Sequence, residues 1–202
     1  MPRPSNTEER RQQIVLGLLR VMSERGYERA SVNEIAKAAG LSPGLVHYHF
    51  SDKQEILLVL VEQLAARARE RVARRVARIA PEDARGKVEA FLDAFLATGA
   101  DADPSAVAGW VTISAEAIRQ PEVRAAYEQV VRADLELLEG LVASVVGKRR
   151  ARALSVGLFA AVQGYFVLSA SAPGLVPSGS AANTVKQMAA GLLDTVSAKE
   201  GA

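Results

Sequence analysis

The chain has no cysteine among its 202 residues and only two histidines. The missing cysteine excludes disulfides and thiolate chemistry, and it permits a reducing compartment. The two histidines, His47 and His49, stand two positions apart. On a helix they would project to opposite sides, so they do not chelate one metal as an i, i+4 pair does. No metal site is expected.

Other signatures of catalysis are missing as well. The sequence contains no nucleophile elbow, no Gly-rich phosphate loop and no CxxC motif. The acids Asp101 and Asp103 lie in a predicted loop, where solvation and turn formation explain them. We therefore expect a protein that is not an enzyme and needs no cofactor.

The net charge is +2, but the charged residues are distributed unevenly along the chain. Residues 1–79 hold 14 Lys and Arg against 9 Asp and Glu, whereas residues 80–202 hold 11 against 14. A basic N-terminal part is what an electrostatic footprint on DNA requires. Six arginines between positions 67 and 78 are predicted to form a solvated helix face. The charged start of the chain does not resemble a secretory signal, so a cytoplasmic location is expected.

The segment from Ser31 to Lys53 predicts two short helices, a tight turn and the start of a third helix. Ser31 and Glu34 have the spacing of a capping box. Gly40 is suited to the left-handed conformation that ends a helix. Ser42 followed by Pro43 is an N-cap with a first-turn proline. This is the pattern of a helix-turn-helix, whose second helix lies in the DNA major groove.

The second of these helices has two predicted faces. Val46 and Phe50 share a face that should be buried. Gly44, Leu45 and Tyr48 point largely the other way, and His47 lies to one side. Asp52 or Ser51 is expected to cap the next helix. Lys53 in its first turn is suited to a phosphate oxygen.

The twelve residues SPGLVHYHFSDK, from Ser42 to Lys53, resemble the recognition-helix signature of the TetR family of repressors. Gly26-Tyr27 and residues 31–36 are similar to the preceding turn and helix of that family. The resemblance covers about residues 8–60. Farther along, residues 115–127 and Gln163-Gly164-Tyr165 resemble the BetI-type ligand domain.

The resemblance implies contacts with double-stranded DNA. The positions of Ser42, Gly44, Leu45 and His47 would approach bases or the nearby sugar-phosphate, and those of Tyr48 and Lys53 would contact phosphate. His47 departs from the Tyr that is frequent at its position. The predicted DNA-binding residues are Ser42, Pro43, Gly44, Leu45, His47, Tyr48 and Lys53.

Helical periodicity continues through nearly the whole chain, and about nine helices are predicted in an all-α fold. A three-helix helix-turn-helix domain is expected over residues 1–52, and a larger helical ligand-binding and dimerisation domain over residues 53–202. Residues 52–79 form the predicted connecting helix. Loops are expected at residues 99–104 and 172–179.

Residues 153–185 carry no charge and are long enough to suggest a membrane span. Ser155, Gln163, Pro173 and Pro177 argue against one. A helix that is apolar all round is also expected when one side is buried in its own core and the other in a partner subunit. We therefore predict a homodimer and no membrane. The candidate interface residues are Leu158, Val162, Tyr165, Phe166, Met188 and Leu192.

The larger domain contains aromatic and polar side chains at helical spacing that are suited to a small-molecule pocket. The candidate ligand residues are Phe91, Phe95, Trp110, Ser114, Tyr127 and Gln163. An apolar or amphipathic effector is expected. These features predict a homodimeric repressor that a small molecule releases from a palindromic operator. A ligand-independent or activating DNA-binding protein is the alternative.

Overall fold

The computed structural model describes residues 6–96, 102–177 and 179–198. Within these ranges there are nine α-helices and no strand, which confirms the all-α prediction. A 3₁₀ turn at Pro173–Leu175 follows the eighth helix. The bounds are α1 Asn6–Arg25, α2 Val32–Ala39, α3 Pro43–His49, α4 Lys53–Val76, α5 Ala84–Phe95, α6 Pro104–Arg119, α7 Pro121–Val146, α8 Lys148–Ser171 and α9 Ser180–Ala198.

Several helix ends are fixed by a left-handed glycine or by a side-chain cap. Gly26 follows α1 with φ of 81°, a left-handed conformation that glycine adopts without strain. Asp83 is the N-cap of α5, and its carboxylate accepts from the Gly86 N–H at 2.7 Å. Helix α4 ends at Val76, three residues before the predicted end. Asp101, which the sequence places in a loop, lies outside the described residues.

The described chain divides into two compact units. The first contains residues 6–65 and 104–128, so the helix-turn-helix shares its unit with α6 and the beginning of α7. Helix α1 packs against α2, α3 and α6. Its buried stripe includes Ile14, Leu18 and Met22, each at most 1% exposed. The unit thus extends past the boundary at residue 52 that the sequence suggests.

The second unit contains α5, α8, α9 and the remaining parts of α4 and α7. Helix α9 packs against both α5 and α8. Two ion pairs join α9 to α5: Lys186 lies 3.0 Å from Asp93, and Arg85 lies 2.7 Å from Asp194. The core of this unit is mostly apolar, with Leu92, Leu138 and Val162 fully buried.

Helix α8 has a buried face and an exposed apolar face on opposite sides. Leu158, Val162 and Phe166, three of the predicted interface residues, lie in the core of the chain and are at most 9% exposed, which leaves little of their surface open to a partner subunit. The exposed face instead carries Val156, Val167 and Leu168. Sequence alone could not fix this rotation, because α8 has apolar residues all round. By length and composition, α8 is the one helix in the described part of the chain that could span a membrane.

Candidate nucleic-acid interface

Helix α2 begins and ends as the sequence predicts. The Ser31 hydroxyl accepts from the Glu34 N–H at 3.2 Å. Gly40 is left-handed, with φ of 68°, and the Leu41 N–H donates to the Ala36 carbonyl at 2.9 Å. This pairing satisfies a carbonyl that would otherwise lack a partner at the helix end. The turn into α3 is therefore tight and defined.

Only one of the two hydrogen bonds of the predicted capping box at Ser31 is present. The Glu34 carboxylate pairs with Arg25 of α1 at 3.2 Å, and the Ser31 N–H donates to the Arg29 carbonyl at 3.0 Å. Both charged side chains are more than one-third exposed, so the pair contributes at most about 1 kcal/mol. Glu34 thus joins α2 to α1 rather than completing the box.

Helix α3 is only seven residues long, and three features hold it in place. The Ser42 hydroxyl accepts from the Leu45 N–H at 3.3 Å, and Pro43 occupies the first turn. Val46 and Phe50 are 1% and 2% exposed and anchor its inner face. Burying each of these side chains contributes about 2 kcal/mol, which compensates for the weak tendency of so short a helix to form alone.

The opposite face of α3 is open to solvent, as predicted. Tyr48 is 79% exposed, and His47 and Gly44 are exposed beside it. Leu45 departs from the prediction, because it is half-buried rather than outward-facing. A β-carbon on Gly44 would meet no atom within 4 Å, so the fold does not require glycine there. Ser42 and Pro43 are exposed at the start of the same face.

Lys53 has partners within its own unit. Its ammonium donates to the Tyr27 carbonyl at 3.0 Å and lies 4.1 Å from the centroid of the Tyr27 ring. Asp52 caps α4, since its carboxylate accepts from the Glu55 N–H at 2.8 Å. Lys53 therefore ties the start of α4 to the turn after α1, a role that sequence spacing did not reveal. Its predicted contact with phosphate stays a prediction.

Burial and nearby acids raise the pKa of Tyr27 to about 12, with burial the larger cause and Glu116 the next. The phenol is therefore neutral at physiological pH. Glu116 is itself only 5% exposed and accepts from the Gln120 amide at 2.8 Å. Lys53 places a positive charge over the Tyr27 ring, where the aromatic face attracts a cation.

The candidate ligand residues fall into two groups in different units. Trp110 and Tyr127 lie in the first unit with ring centroids 5.2 Å apart, and burial raises the pKa of Tyr127. Ser114 is in the same unit and donates to the Val111 carbonyl at 2.7 Å. Phe91, Phe95 and Gln163 belong to the second unit. The six residues are therefore divided between the two units.

The second group has features of a binding site. Phe91 stacks on Phe95 at 4.9 Å, and Phe95 meets Phe159 of α8 at 5.8 Å. Ser155 and Gln163 stand one turn on either side of Phe159. The Ser155 hydroxyl and the Gln163 amide nitrogen are buried and have no hydrogen-bond partner among the described residues. A buried polar group without a partner is costly. These two atoms are therefore available to pair with a ligand or with water.

The remaining interface candidates are partly exposed. Met188 and Leu192 are 47% and 41% exposed on α9, and Tyr165 is half-buried on α8.

In the parts of the chain that the structure describes, no three His, Cys, Asp or Glu side chains converge as a metal site.

Helices α2 and α3 and the tight turn at Gly40 between them form a helix-turn-helix, and the outer face of its second helix is open. Residues 14–60 match the family described as bacterial regulatory proteins, tetR family. This match confirms the TetR-family resemblance that the sequence predicted for the N-terminal region.

Two relatives and one solved structure are similar to this chain. The repressor AcnR of Corynebacterium diphtheriae is 45% identical over 75 residues, covering 36% of this chain and 40% of AcnR. The regulator BetI of Rhizobium meliloti is 32% identical over 125 residues, covering 61% of this chain and 60% of BetI. The chain thus spans roughly half the length of these relatives. A protein from Saccharomonospora viridis, solved in complex with choline, has the same fold, with a TM-score of 0.75, 22% identity, and 93% and 96% of the two chains covered.

Proposed function

We propose that the protein is a cytoplasmic, homodimeric transcriptional repressor. Two copies of α3 bind a palindromic operator, and an apolar or amphipathic small molecule releases the protein from it. The observation that carries this proposal is the division of α3 into an anchored face and an open face. Tyr48 and His47 extend into solvent from a helix that Val46 and Phe50 hold rigidly.

The chemistry of the open face is suited to DNA. Hydroxyl and imidazole groups hydrogen-bond to phosphates and base edges, and Gly44 allows a DNA backbone to approach closely. The basic excess of residues 1–79 adds long-range attraction. One such helix reads only a few base pairs, so a second copy is needed for specific binding.

The exposed apolar face of α8 and α9 supports dimerisation. Val156, Val167 and Leu168 on α8 lie exposed, as do Met188 and Leu192 on the neighbouring α9. Exposed apolar residues on two adjacent helices are typical of a protein–protein interface. They replace the buried residues Leu158, Val162 and Phe166 as the proposed interface.

The second unit supports a ligand site. The rings of Phe91, Phe95 and Phe159 provide an apolar wall, and the buried amide nitrogen of Gln163 provides a donor without a partner. Such a wall with few polar groups is typical of small-molecule sites. The Saccharomonospora viridis protein was solved in complex with choline. For this chain, the proposal of an apolar or amphipathic ligand rests on its own aromatic and amide side chains. The ligand acts only if it favours one arrangement of the two recognition helices, and α4 would transmit this preference.

The first experiment is selection of duplexes from a random pool by the purified protein, followed by titration of the selected and scrambled duplexes at near-physiological salt. We expect at least ~10³-fold tighter binding to the selected duplex and a palindromic sequence in it. Equal binding to both duplexes would contradict a sequence-specific regulator.

The dimer is tested by light scattering at micromolar concentration. The unchanged chain should have twice the monomer mass, and Leu168→Glu should give a monomer with unchanged helix content. Leu137→Glu is the matched control, because Leu137 is 41% exposed on α7, outside the proposed interface. A monomeric mass for the unchanged chain would overturn the two-fold arrangement.

Compounds that raise the melting temperature are then tested for release of the selected duplex. Gln163→Leu should abolish both effects of an active compound while leaving operator binding intact. If no compound in a broad metabolite collection has both effects, the protein is a ligand-independent regulator. Transcription from a promoter that carries the selected sequence distinguishes repression from activation.

A further inference from the structure

Arg11 of α1 extends to the C-terminal end of α3, where it contacts several groups at once. Its guanidinium donates to the carbonyl oxygen of His49, the last residue of the helix. The same group lies 4.0 Å from the centroid of the Phe50 ring. Its other terminal nitrogen is 3.5 Å from a carboxylate oxygen of Glu55 in α4. One side chain thus joins α1, α3 and α4.

Glu55 extends this contact into the turn between α3 and α4. Its second carboxylate oxygen accepts from the Ser51 N–H at 2.8 Å and from the Ser51 hydroxyl at 2.9 Å. These two hydrogen bonds, the backbone one first, lower the pKa of Glu55, and Arg11 lowers it further. Glu55 is therefore charged at physiological pH. We call Arg11, His49, Phe50, Ser51 and Glu55 the turn cluster.

The turn cluster lies where α3 most needs support. The last carbonyls of a helix have no partner within it, and a cation there interacts favourably with the helix dipole. Helix α3 has only about two turns, so the contacts at its two ends strongly influence its direction. Ser42 fixes the first end, and the turn cluster fixes the second.

We propose that Arg11 is a positioning residue for DNA recognition: it sets the direction of α3 through the His49 carbonyl and Glu55. The proposal rests on the proposed DNA-binding function and deepens it. Arg11 has a partly buried side chain, 29% exposed, and its donors face protein acceptors. Its effect is therefore on sequence-specific binding rather than on general attraction to DNA.

A phosphate contact by Arg11 is the competing role, and salt dependence separates the two. Loss of one phosphate contact weakens binding to all duplexes by the same factor and reduces the salt slope by about 1. Loss of a positioning contact weakens binding to the operator alone and leaves the slope unchanged. The two roles therefore give different results in one set of titrations.

The test uses the full chain, the selected operator and a scrambled duplex. We expect Arg11→Gln to lose about tenfold or more in operator affinity, as expected when base contacts are misplaced, while its salt slope and scrambled-duplex affinity stay near those of the unchanged chain. Arg11→Lys, which keeps the charge, should recover part of the loss. Arg10→Gln is the matched control, because Arg10 bonds only to Gln13 of α1 in the described contacts. It should affect both duplexes by the same factor.

Glu55→Gln provides an independent test that does not remove a positive charge. It should weaken operator binding selectively, and the double variant with Arg11→Gln should bind no worse than Arg11→Gln alone, because the two residues act as a unit. Circular dichroism at the assay temperature identifies variants that are folded, and the proposal is judged on those. Equal loss on both duplexes with a reduced slope, or unchanged operator affinity of the folded variants, would overturn it. A failure of the unchanged chain to select any sequence would instead refute the proposed function.

Discussion

Gly17 of α1 lies so close to Ile35 of α2 that a β-carbon on Gly17 would come within 2.8 Å of the Ile35 carbonyl oxygen. The same β-carbon would lie 3.1 Å from that of Ala39. The two helices therefore approach at a point where only a hydrogen fits. This close approach restricts how α2 can lie on α1. The side chain of Ile35 is also fully buried.

We expect Gly17→Ala to lower the free energy of unfolding by about 1–2 kcal/mol, because the obstructing atom belongs to the backbone and cannot rotate away. Urea denaturation measures this change. Gly140→Ala is the control: it is an exposed helix glycine whose β-carbon would meet nothing, so the protein should gain about 0.5–1 kcal/mol. Equal effects of the two substitutions would contradict the close approach.

Gly44→Ala should separate DNA binding from stability. The new methyl group meets no protein atom, so the free energy of unfolding should change by less than about 1 kcal/mol. Operator affinity should fall about tenfold or more, because the methyl group occupies space needed by the DNA backbone, and displaced base contacts are worth about this much. Unchanged affinity would show that DNA does not approach α3 at this point.

Tyr48→Phe removes only a hydroxyl group from a side chain that is 79% exposed. The melting temperature should therefore stay the same. Affinity for operator and scrambled duplexes should fall by a similar factor, roughly threefold to tenfold, if the hydroxyl contacts phosphate. Tyr165→Phe on α8 is the control and should leave DNA binding unchanged. A loss confined to the operator would assign Tyr48 to base reading.

Asp134 should make stability depend on pH. It is 3% exposed, and burial raises its pKa to about 6 while Arg69 opposes the rise. An unfolded aspartate titrates near its ordinary value of 3.8, so between about pH 4 and pH 6 the folded state retains a proton that the unfolded state has lost. Stability contributed by this group is therefore present below pH 4 and is lost as pH rises through 6.

Asp134→Asn mimics the protonated form and should stabilise the protein at pH 7.5 by about 3 kcal/mol, with little effect near pH 4. Denaturation at the two pH values measures the difference. Glu136→Gln, exposed on the same helix, should show no such dependence. An equal effect of Asp134→Asn at both pH values would exclude the raised pKa as its cause.

Features of the fold that depend on neighbouring residues could be predicted well. The caps at Ser31, Ser42 and Asp52, the left-handed Gly40 and the buried pair Val46 and Phe50 all follow from local spacing. Each of these features is set by atoms within about one helical turn. A sequence pattern that spans one helical turn can therefore predict them.

Features that depend on distant residues were missed or wrong. Glu34 pairs with Arg25 of another helix instead of completing its box, and Arg11 contacts groups more than 35 positions away. The sequence did not show which side of α8 is buried, because apolar residues encircle the helix and only packing decides which side faces inward. The predicted DNA contacts themselves remain predictions, since burial shows only which side chains are accessible.

The buried and the exposed positions of α3 are occupied by residues with different tasks in the fold. Val46, Phe50 and the Ser42 cap hold the helix, whereas Gly44, His47 and Tyr48 contribute almost nothing to its burial. The outward positions can therefore be varied together in a library without loss of the fold. If these positions read the operator, as proposed, protein engineering could change operator preference independently of stability.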